Sequence, residues 1–317
     1  MAPAEICYRN RIHTDQMAVF VIVTPVLNGA RYISETLSSI SRQTDSDWIH
    51  YVVDGGSTDG TQDIVRATMA SESRHRLIEE HDRGMYDAIF KGFARARIDG
   101  HGNSDSICLW LNADDLLMPW ALSTLRLAFA RTGADWITTL PCLWDAESTL
   151  QLVSPFAWFP RLFIRWGLFH ARGLGSIQQE STFFTRRLLD QMPGNVLDKI
   201  RSQKLAGDFL LWQEFARFTA PYPLPVAVSG FRRHDGNASA LQMESYFREL
   251  REAGVILTPA WLGFVFRLLF QPVALVRVYT SVRRQLGKIA KAEAAKRTVS
   301  NADPTSLKKP SAPRGKL

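Results

Sequence analysis

Apolar runs alternate with helical repeats along the first half of the chain. The runs at 18–24 (AVFVIVT), 48–54 (WIHYVVD) and 106–112 (SICLWLN) are nearly continuous and rich in β-branched or aromatic residues, which is typical of strands buried on both faces. A weaker strand is predicted at 76–82. Helical spacing of apolar residues predicts helices in ARYISETLSSISRQ, TDGTQDIVRATMA, YDAIFKGFARA and MPWALSTLRLAFART. Strands that alternate with helices predict an α/β fold with a doubly wound, mostly parallel sheet.

The alternation fades after about Leu150. The stretch ADWITTLPCLW (134–144) is predicted to be extended, and AGDFLLWQEFARF (206–218) is predicted to be an amphipathic helix. Between them, residues 154–175 mix aromatic side chains with Arg161, Arg165 and Arg172. Two interpretations of this stretch are open: a partly buried irregular connection, or an adaptable surface for an acceptor or a lipid.

Both ends of the chain differ from this pattern. Residues 1–16 contain no apolar core of signal-peptide length and are predicted to be a loose extension. Residues 261–278 are marginal for a membrane-spanning helix because their apolar run is interrupted by Arg267, Gln271 and Pro272. With the basic segment that follows, the run fits either an interfacial anchor or an amphipathic helix packed on the domain with a solvated tail. Residues from 298 onward are predicted to be disordered.

The basic character of the chain is concentrated near its end. The net charge is +7, and residues 277–317 hold 11 Lys or Arg against two acids, so the preceding residues carry a charge of −2. A nucleic-acid-binding domain is expected to carry basic residues on a folded face, so no nucleic-acid partner is predicted. The cysteines lack CxxC spacing, which argues against a structural zinc site and fits a reducing, cytoplasmic compartment; they are Cys7, Cys108 and Cys142.

Acidic residues collect where the predicted strands end. Ligands of parallel α/β sheets bind beyond the carboxyl ends of the strands, and these ends carry Asp54, Asp59, Asp82, Asp87, Asp114 and Asp115, with Arg83 among them. Adjacent carboxylates repel each other and are costly to bury without a partner. The sequence NADD at 112–115 therefore predicts either a solvated helix cap or a site for Mg²⁺ or Mn²⁺. These cations prefer carboxylate oxygens and often keep water and substrate phosphates as further ligands.

The glycine-rich sequence GGSTDG at 55–60 allows two interpretations, a tight turn or a phosphate-binding loop. It matches neither the Walker A motif nor GxGxxG. Asp54 closes the strand before it and is better placed to act on a ligand. A carboxylate at that position can accept hydrogen bonds from a base or a ribose.

Five segments, in their order and separation, resemble family 2 glycosyltransferases. They are VIVTPVLNGARYISETLSSISRQT, YVVDGGSTDGTQDIV, DRGMYDAIFKGFARA, LWLNADD and AGDFLLWQEFA, and they extend over roughly residues 18–235. The resemblance implies a GT-A fold, a nucleotide-diphosphate sugar donor, a divalent metal and inversion at the anomeric carbon. No QxxRW sequence is present, which argues against a processive polymer synthase.

The resemblance also implies roles for single residues. Contacts to the nucleotide sugar are implied for Thr24, Pro25, Asn28, Asp54, Asp82, Arg83, Asp87, Asn112 and Asp114, with Asp54 at the base. NADD matches the family's DxD-type motif with Asn112 in place of the usual Asp, which leaves Asp114 and Asp115 as candidate metal ligands. His234 is a further candidate metal or phosphate contact, or a plain surface residue. Asp208 matches the acceptor-side acid and is the candidate general base, and Gln178 and Gln179 resemble an acceptor-side segment.

The expected organisation follows from this resemblance. Residues 17–240 are expected to form the GT-A domain, with a nucleotide-sugar half (17–115) and an acceptor half (116–240). A helical, membrane-associating region (241–297) and the disordered basic tail (298–317) are expected to follow.

The expected activity is sugar transfer to a saccharide or lipid-linked acceptor in cell-envelope polysaccharide synthesis. The expected location is the cytoplasmic face of the inner membrane, with peripheral contact to its anionic surface. Two alternatives stay open. A sugar-1-phosphate nucleotidyltransferase should carry a basic triphosphate-binding loop, and TPVLNGA has none. A non-catalytic membrane-surface protein would be held by the basic tail.

Overall fold

A computed structural model describes residues 18–154, 158–237, 242–259 and 261 of the chain. The strands are β1 (Phe20–Val26), β2 (Trp48–Asp54), β3 (His75–Glu79), β4 (Ile107–Trp110), β5 (Leu116–Leu117), β6 (Trp136–Thr138), β7 (Cys142–Trp144), β8 (Leu150–Val153), β9 (Thr182–Thr185), β10 (Tyr222–Pro223) and β11 (Ser229–Arg232). The helices are α1 (Ile33–Ser41), α2 (Thr61–Ser71), α3 (Met85–Ile98), α4 (Ala121–Thr132), α5 (Arg161–Arg165), α6 (Arg186–Leu189), α7 (Gly194–Arg201), α8 (Gly207–Phe218) and α9 (Met243–Glu252). A short 3₁₀ turn spans Gln179–Ser181.

The larger sheet has seven strands in the order β10-β6-β9-β4-β1-β2-β3. Its neighbouring strands are parallel except at β9, which runs antiparallel to both β4 and β6. Strands β1 and β2 are buried along their whole length. Val21 and Val23 of β1 pack in one apolar cluster with residues of α3, whereas Phe20 and Ile22 pack in another with residues of α4. The predicted α/β fold with a mostly parallel sheet is confirmed.

Stacked tryptophans fix α8 on this sheet. Trp212 of α8 stacks on Trp110 of β4 with ring centroids 5.4 Å apart and on Trp136 of β6 with centroids 5.7 Å apart. Aromatic pairs of this kind bury large apolar areas and have a preferred geometry. Asp208 lies four residues before Trp212 and therefore on the same side of the helix. The packing of Trp212 thus sets the position of Asp208.

The smaller sheet has the order β5-β11-β7-β8. Strand β5 follows NADD directly and pairs antiparallel with β11, with Leu117 opposite Ser229 and Leu116 opposite Gly230. A Cβ on Gly230 would lie 2.6 Å from the Trp144 indole nitrogen, so only glycine fits this close contact. The pairing places 112–115 beside the chain that follows β11. The predicted extended stretch 134–144 is divided between the sheets, since β6 joins the larger sheet and β7 the smaller.

Several expectations lie outside the described residues. They concern residues 1–16 with Cys7, most of the apolar run at 261–278, and the tail at 298–317. Helix α9 lies inside the region 241–297 that was expected to be helical. Within the described ranges, no helix has both the length and the apolar character that a bilayer crossing requires.

Candidate active site

The loops after β1 and β2 are joined by hydrogen bonds. Asn28 has a left-handed φ of 55°, its N–H donates to Ser57 Oγ over 2.8 Å, and its Oδ1 accepts from the Thr58 N–H over 2.9 Å. The Ala30 N–H donates to Asp59 Oδ2 over 2.9 Å. The glycine-rich segment therefore folds as a turn that is held against the β1 loop. The Asn28 side chain is exposed and helps to hold this turn.

Asp54 ends β2 with one carboxylate oxygen bonded and the other free. Oδ1 accepts from the N–H groups of Gly56 (2.9 Å) and Ser57 (2.7 Å) and from Gln62 Nε2 (2.9 Å). Oδ2 is buried and has no hydrogen-bond partner among the described residues. Burial acts to raise the pKa of Asp54, but hydrogen bonds from Ser57, Gln62 and Gly56 outweigh it and hold the pKa below its ordinary value. Asp54 is thus an ionised carboxylate with one open acceptor position.

Asp82 reaches the end of the same strand. Its Oδ1 accepts from the Gly84 N–H over 2.8 Å. A Cβ on Gly55 would lie 2.5 Å from Asp82 Oδ2, so the absence of a side chain at Gly55 leaves room for this carboxylate. The structure therefore brings Asp82 next to Asp54, as expected for two residues that share a binding site.

Arg83 and Asp87 form a different contact. The buried Asp87 carboxylate accepts from Arg201 of α7, with Nη2 at 2.7 Å and Nε at 3.0 Å, and from Arg83 Nη2 at 3.3 Å. Burial acts to raise the pKa of Asp87, but the two arginines lower it to about 2. The Arg83 side chain is 66% exposed and has donors left for a ligand. Asp87, by contrast, has its charge paired within the protein.

Thr24 and Pro25 lie in the buried strand β1. Thr24 Oγ1 is 2.8 Å from His50 Nε2, and His50 Nδ1 is 2.8 Å from His75 Nδ1 in β3. Burial lowers the pKa of both histidines, that of His75 to about 4. The Thr24 hydroxyl thus belongs to a hydrogen-bonded row across three strands. The pocket contacts expected of Thr24 and Pro25 stay predictions.

Asp114 meets His234 at the end of the sheet. Asp114 Oδ2 lies 2.8 Å from His234 Nε2 and 3.4 Å from Asn237 Nδ2, and the Asp114 backbone oxygen accepts from Arg232 Nε over 2.6 Å. The pairing of β5 with β11 causes this meeting of residues 120 positions apart. Two residues expected at the metal are therefore brought together.

Asp115 instead belongs to the interior. Its Oδ1 accepts from the Arg232 N–H over 2.8 Å and its Oδ2 from Asn112 Nδ2 over 3.0 Å. Asn112 Nδ2 also lies 3.4 Å from Glu180 Oε1. Burial raises the pKa of both Asp115 and Glu180, and the negative charges of Glu180 and Asp114 raise that of Asp115 further. Of the two adjacent aspartates, Asp114 is the one whose carboxylate is partly exposed and within reach of a cation.

Asp114 and His234 fit a divalent cation as a partial set of ligands. They supply a carboxylate oxygen and an imidazole nitrogen, both of which bind divalent metals. Within the part of the chain that the structure describes, no group of three or more His, Cys, Asp or Glu side chains could hold a metal by itself. Mg²⁺ commonly binds through one or two carboxylates plus water and substrate phosphates. The donor set suits a cation that the substrate helps to bind.

Asp208 lies in the first turn of α8. Its Oδ1 accepts from the Phe209 N–H over 2.7 Å and from the Tyr86 hydroxyl over 3.1 Å. Burial raises the pKa of Asp208 to about 6, although the hydrogen bonds from Phe209 and Tyr86 act to lower it. Such a carboxylate is ionised at neutral pH and still basic enough to take a proton.

Several residues of this region were not singled out from the sequence. Glu180, Arg232 and Asn237 surround the NADD segment, whereas Tyr86 and Glu249 surround Asp208. The only available signal was their proximity in sequence to noted segments, since Asn237 follows FRRHDG and Glu180 follows IQQ. Burial of a charged side chain is not visible in a hydrophobic pattern.

The sequence profile of Glycosyl transferase family 2 matches residues 21–155. A PGL/p-HBAD biosynthesis glycosyltransferase of Mycobacterium bovis is 40% identical over 101 residues, which cover 31% of this chain and 36% of that protein. The O-antigen biosynthesis protein RfbC of Myxococcus xanthus is 35% identical over 111 residues, or 34% of this chain and 8% of that protein. The match thus spans about a third of the length of the mycobacterial relative.

Solved structures show the same fold at low sequence identity. TarS 1–349 of S. aureus in complex with UDP-GlcNAc has a TM-score of 0.57 and 16% identity, covering 74% of this chain and 65% of that one. The mannosyltransferase PcManGT of Pyrobaculum calidifontis, in complex with GDP-Man and Mn²⁺, has a TM-score of 0.50 and 19% identity, covering 92% and 82%. The matched residues 21–155 include the strand ends that carry Asp54, Asp82 and Asp114. Residues 21–155 therefore match glycosyltransferase family 2, and the chain has the fold of GT-A glycosyltransferases.

Proposed function

We propose that the protein transfers a sugar from a nucleotide-diphosphate donor to a hydroxyl group of a saccharide or lipid-linked acceptor, with inversion at the anomeric carbon. The observation that carries this proposal is Asp208, a partly buried carboxylate whose pKa of about 6 suits a base at neutral pH. A role in cell-envelope glycan synthesis is supported by the names of the relatives, which concern PGL/p-HBAD and O-antigen biosynthesis.

The donor's nucleotide binds at the ends of β2 and β3. The free Oδ2 of Asp54 accepts a hydrogen bond from an N–H group of the base, because the rest of that carboxylate is already bonded. Asp82 lies beside it and faces the ribose, and the exposed Arg83 contacts the phosphates. TarS with UDP-GlcNAc and PcManGT with GDP-Man support a nucleotide-sugar donor for this fold.

Asp114 and His234 would hold the Mg²⁺ or Mn²⁺ ion. A bound divalent cation would supply positive charge that stabilises the diphosphate as the leaving group. PcManGT was solved with Mn²⁺, which supports a metal of this type. The contact between Asp114 and His234 supports these two residues over Asp115.

Asp208 removes the proton from the acceptor hydroxyl as its oxygen attacks the anomeric carbon. The bond between that carbon and the diphosphate oxygen breaks in the same displacement, and the electron pair leaves with the diphosphate. The Tyr86 hydroxyl and the Phe209 N–H both bond Oδ1 and so fix the orientation of the carboxylate. A single displacement from the opposite face inverts the anomeric carbon.

A donor screen tests this function. UDP- and GDP-sugars with Mn²⁺ should raise the melting temperature of the full chain, because a ligand that binds only the native state stabilises it. The matching donor should then release nucleoside diphosphate when acceptors are added. Asp114→Ala should weaken Mn²⁺-dependent donor binding in calorimetry. A panel in which no donor binds or is turned over would contradict the proposal.

The base assignment is tested by Asp208→Asn. Turnover should fall by about 10²–10⁴-fold, the usual contribution of a general base, while donor affinity is kept. In the wild-type enzyme kcat should fall as the pH drops through about 6, because Asp208 becomes protonated there. Asp198→Asn, at an exposed acid on α7, is the matched control. Normal turnover in Asp208→Asn would rule out Asp208 as the base.

We also propose that the protein works at the cytoplasmic face of the inner membrane. The supporting surface is the α5 face, defined here as the exposed side chains of Leu162 in α5 and of Trp158 and Trp166, which lie just before and just after that helix. Arg165 is exposed on the same helix. Aromatic and basic side chains are the combination that favours an anionic membrane interface.

A further inference from the structure

The segment that leads into α8 is held by a side chain from another helix. Ala206, at the N-terminal boundary of α8, makes no side-chain capping bond of its own. Glu249 of α9 accepts from the N–H groups of Leu205 and Ala206, both at 2.9 Å to Oε2, and of Lys204 at 3.2 Å to Oε1. Consecutive N–H groups that converge on one anion form a favourable electrostatic site. Glu249 therefore does for this segment what a local cap does for most helices.

This contact is linked to the Asp208 carboxylate. Leu205 donates its N–H to Glu249, and its backbone oxygen accepts from the Tyr86 hydroxyl at 3.3 Å. The same Tyr86 hydroxyl lies 3.1 Å from Asp208 Oδ1. A shift of the Leu205 segment would therefore move both the start of α8 and the side chain that orients Asp208.

Helix α9 is itself firmly placed. Phe247 and Leu250 are buried in the cluster that contains Trp212 and Phe209 of α8. The Arg172 guanidinium lies 4.1 Å from the centre of the Phe247 ring, a cation–π contact. Glu249 is on the same short helix, so its carboxylate has a defined position against α8.

We propose that Glu249 is a positioning residue that holds Asp208 in place for proton transfer. This inference rests on the proposed role of Asp208 as the general base. Among the described residues, the titratable groups that face Asp208 are Tyr86 from α3 and Tyr246 and Glu249 from α9. Of these, the Glu249 carboxylate acts through its charge to raise the pKa of Asp208. Helix α9 lies outside the family match at 21–155, so the inference extends the site to a part of the chain that the profile does not cover.

The test compares three substitutions in the full chain. Glu249→Ala removes the acceptor oxygens and should lower kcat by about ten- to a hundredfold, the cost of a small displacement in an active site. Glu249→Gln keeps one oxygen but removes the charge, so kcat should fall less than in Glu249→Ala. The acid limb of the kcat–pH profile, where kcat falls as Asp208 is protonated, should move to lower pH. Glu249→Asp keeps the charge but shortens the reach, so its limb should stay in place while kcat falls. The donor Kd should stay within about twofold in all three.

Glu252→Ala is the matched control, because Glu252 is an exposed acid on the same helix. Unchanged kcat in Glu249→Ala would overturn the inference. An unmoved acid limb in Glu249→Gln, with kcat lowered equally at every pH, would reduce Glu249 to a structural role and would also overturn it. Asp208→Asn separates the two proposals. If it is inactive while the Glu249 variants behave as wild type, only the role of Glu249 is wrong, and if it is active the base assignment itself is wrong.

Discussion

Two buried aspartates, Asp54 at the end of β2 and Asp87 in the first turn of α3, differ in how many of their carboxylate oxygens have hydrogen-bond partners. Asp87 is bonded by Arg83 and Arg201, and Lys91 Nζ lies 3.8 Å from its second oxygen. Asp54 has three donors on Oδ1 and no partner on the buried Oδ2 among the described residues. Since buried polar atoms are normally bonded, the open oxygen is the one that a ligand is expected to complete. We therefore propose that Asp54 binds the donor, whereas Asp87 supports the fold.

Substitution of Asp54 tests this distinction at the scale of one atom. Asp54→Asn keeps an acceptor for Gly56 and Ser57 but presents an N–H group where the base would donate. We expect donor affinity to fall by about ten- to a hundredfold, since a mismatched buried polar group costs on the order of 1–3 kcal/mol. The Kd of the matching donor in calorimetry measures the effect. Asp63→Asn, at an exposed acid of α2, should bind normally, and unchanged affinity in Asp54→Asn would argue against contact with the base.

The sequence could locate these residues but not orient them. Asp54 was predictable as a site residue because it closes an apolar run and is followed by glycines. Thr24 also lies near a strand end, yet its hydroxyl is bonded to His50. Asp114 and Asp115 are neighbours of one type, and only the pairing of β5 with β11 places the first beside His234 and the second beside the Arg232 backbone. Such pairings depend on contacts more than a hundred residues apart, which no local pattern contains.

Helices α3 and α7 are joined by the ion pair between Asp87 and Arg201. The Asp87 side chain is buried, and Arg201 reaches it from the last turn of α7. The pKa of Asp87, lowered to about 2, means that the pair stabilises the fold above the ordinary pKa of an aspartate. This contribution is lost as the pH falls through about 2. The pair therefore ties the element that carries Tyr86 to the segment that leads into α8.

Removing Arg201 should affect stability much more than binding. Arg201→Ala leaves a buried carboxylate with fewer donors and should lower the free energy of unfolding by about 2 kcal/mol at neutral pH. Urea unfolding measures this loss, and donor titration should show a nearly unchanged Kd. Arg217→Ala is the control, because its pair with Glu214 is on the surface and such pairs contribute little. If Arg201→Ala instead lost much donor affinity and kept normal stability, Asp87 would be a contact of the nucleotide sugar.

The elements themselves were largely predictable, whereas their arrangement was not. The strands β1, β2 and β4 and the helices α1 to α4 and α8 lie within or overlap the segments that the periodicity predicted. The order of the strands was less accessible, because β9 enters antiparallel between β4 and β6 and the smaller sheet gathers four short strands. A strand of four residues such as β9 carries too little pattern to show its neighbours. Helix α9 was expected only as part of a helical region.

At the scale of the whole molecule, charge and apolar surface are unevenly distributed. The excess of basic residues lies in 277–317. The α5 face, which is exposed, lies earlier in the sequence, in the part of the chain that the structure describes. Leu162 is 48% exposed and Trp166 is 59% exposed, and large apolar side chains grouped on one surface often mark an interaction site. We propose that the apolar run at 261–278 and the basic segment after it also contribute to binding an anionic bilayer.

Vesicle binding by the full chain tests this contact. Leu162→Glu should weaken binding to vesicles of mixed phosphatidylglycerol and phosphatidylcholine by at least about tenfold, because it removes buried apolar area and adds repulsion from the anionic surface. Leu127→Glu is the matched control, since Leu127 is 50% exposed on α4, away from the α5 face in sequence. Equal binding by both variants would assign membrane contact to the basic tail alone. If Leu162→Glu bound vesicles normally but no longer self-associated, the α5 face would be a contact with a second copy of the chain. Since turnover on a soluble acceptor should be the same in both variants, the assay separates where the enzyme works from how it works.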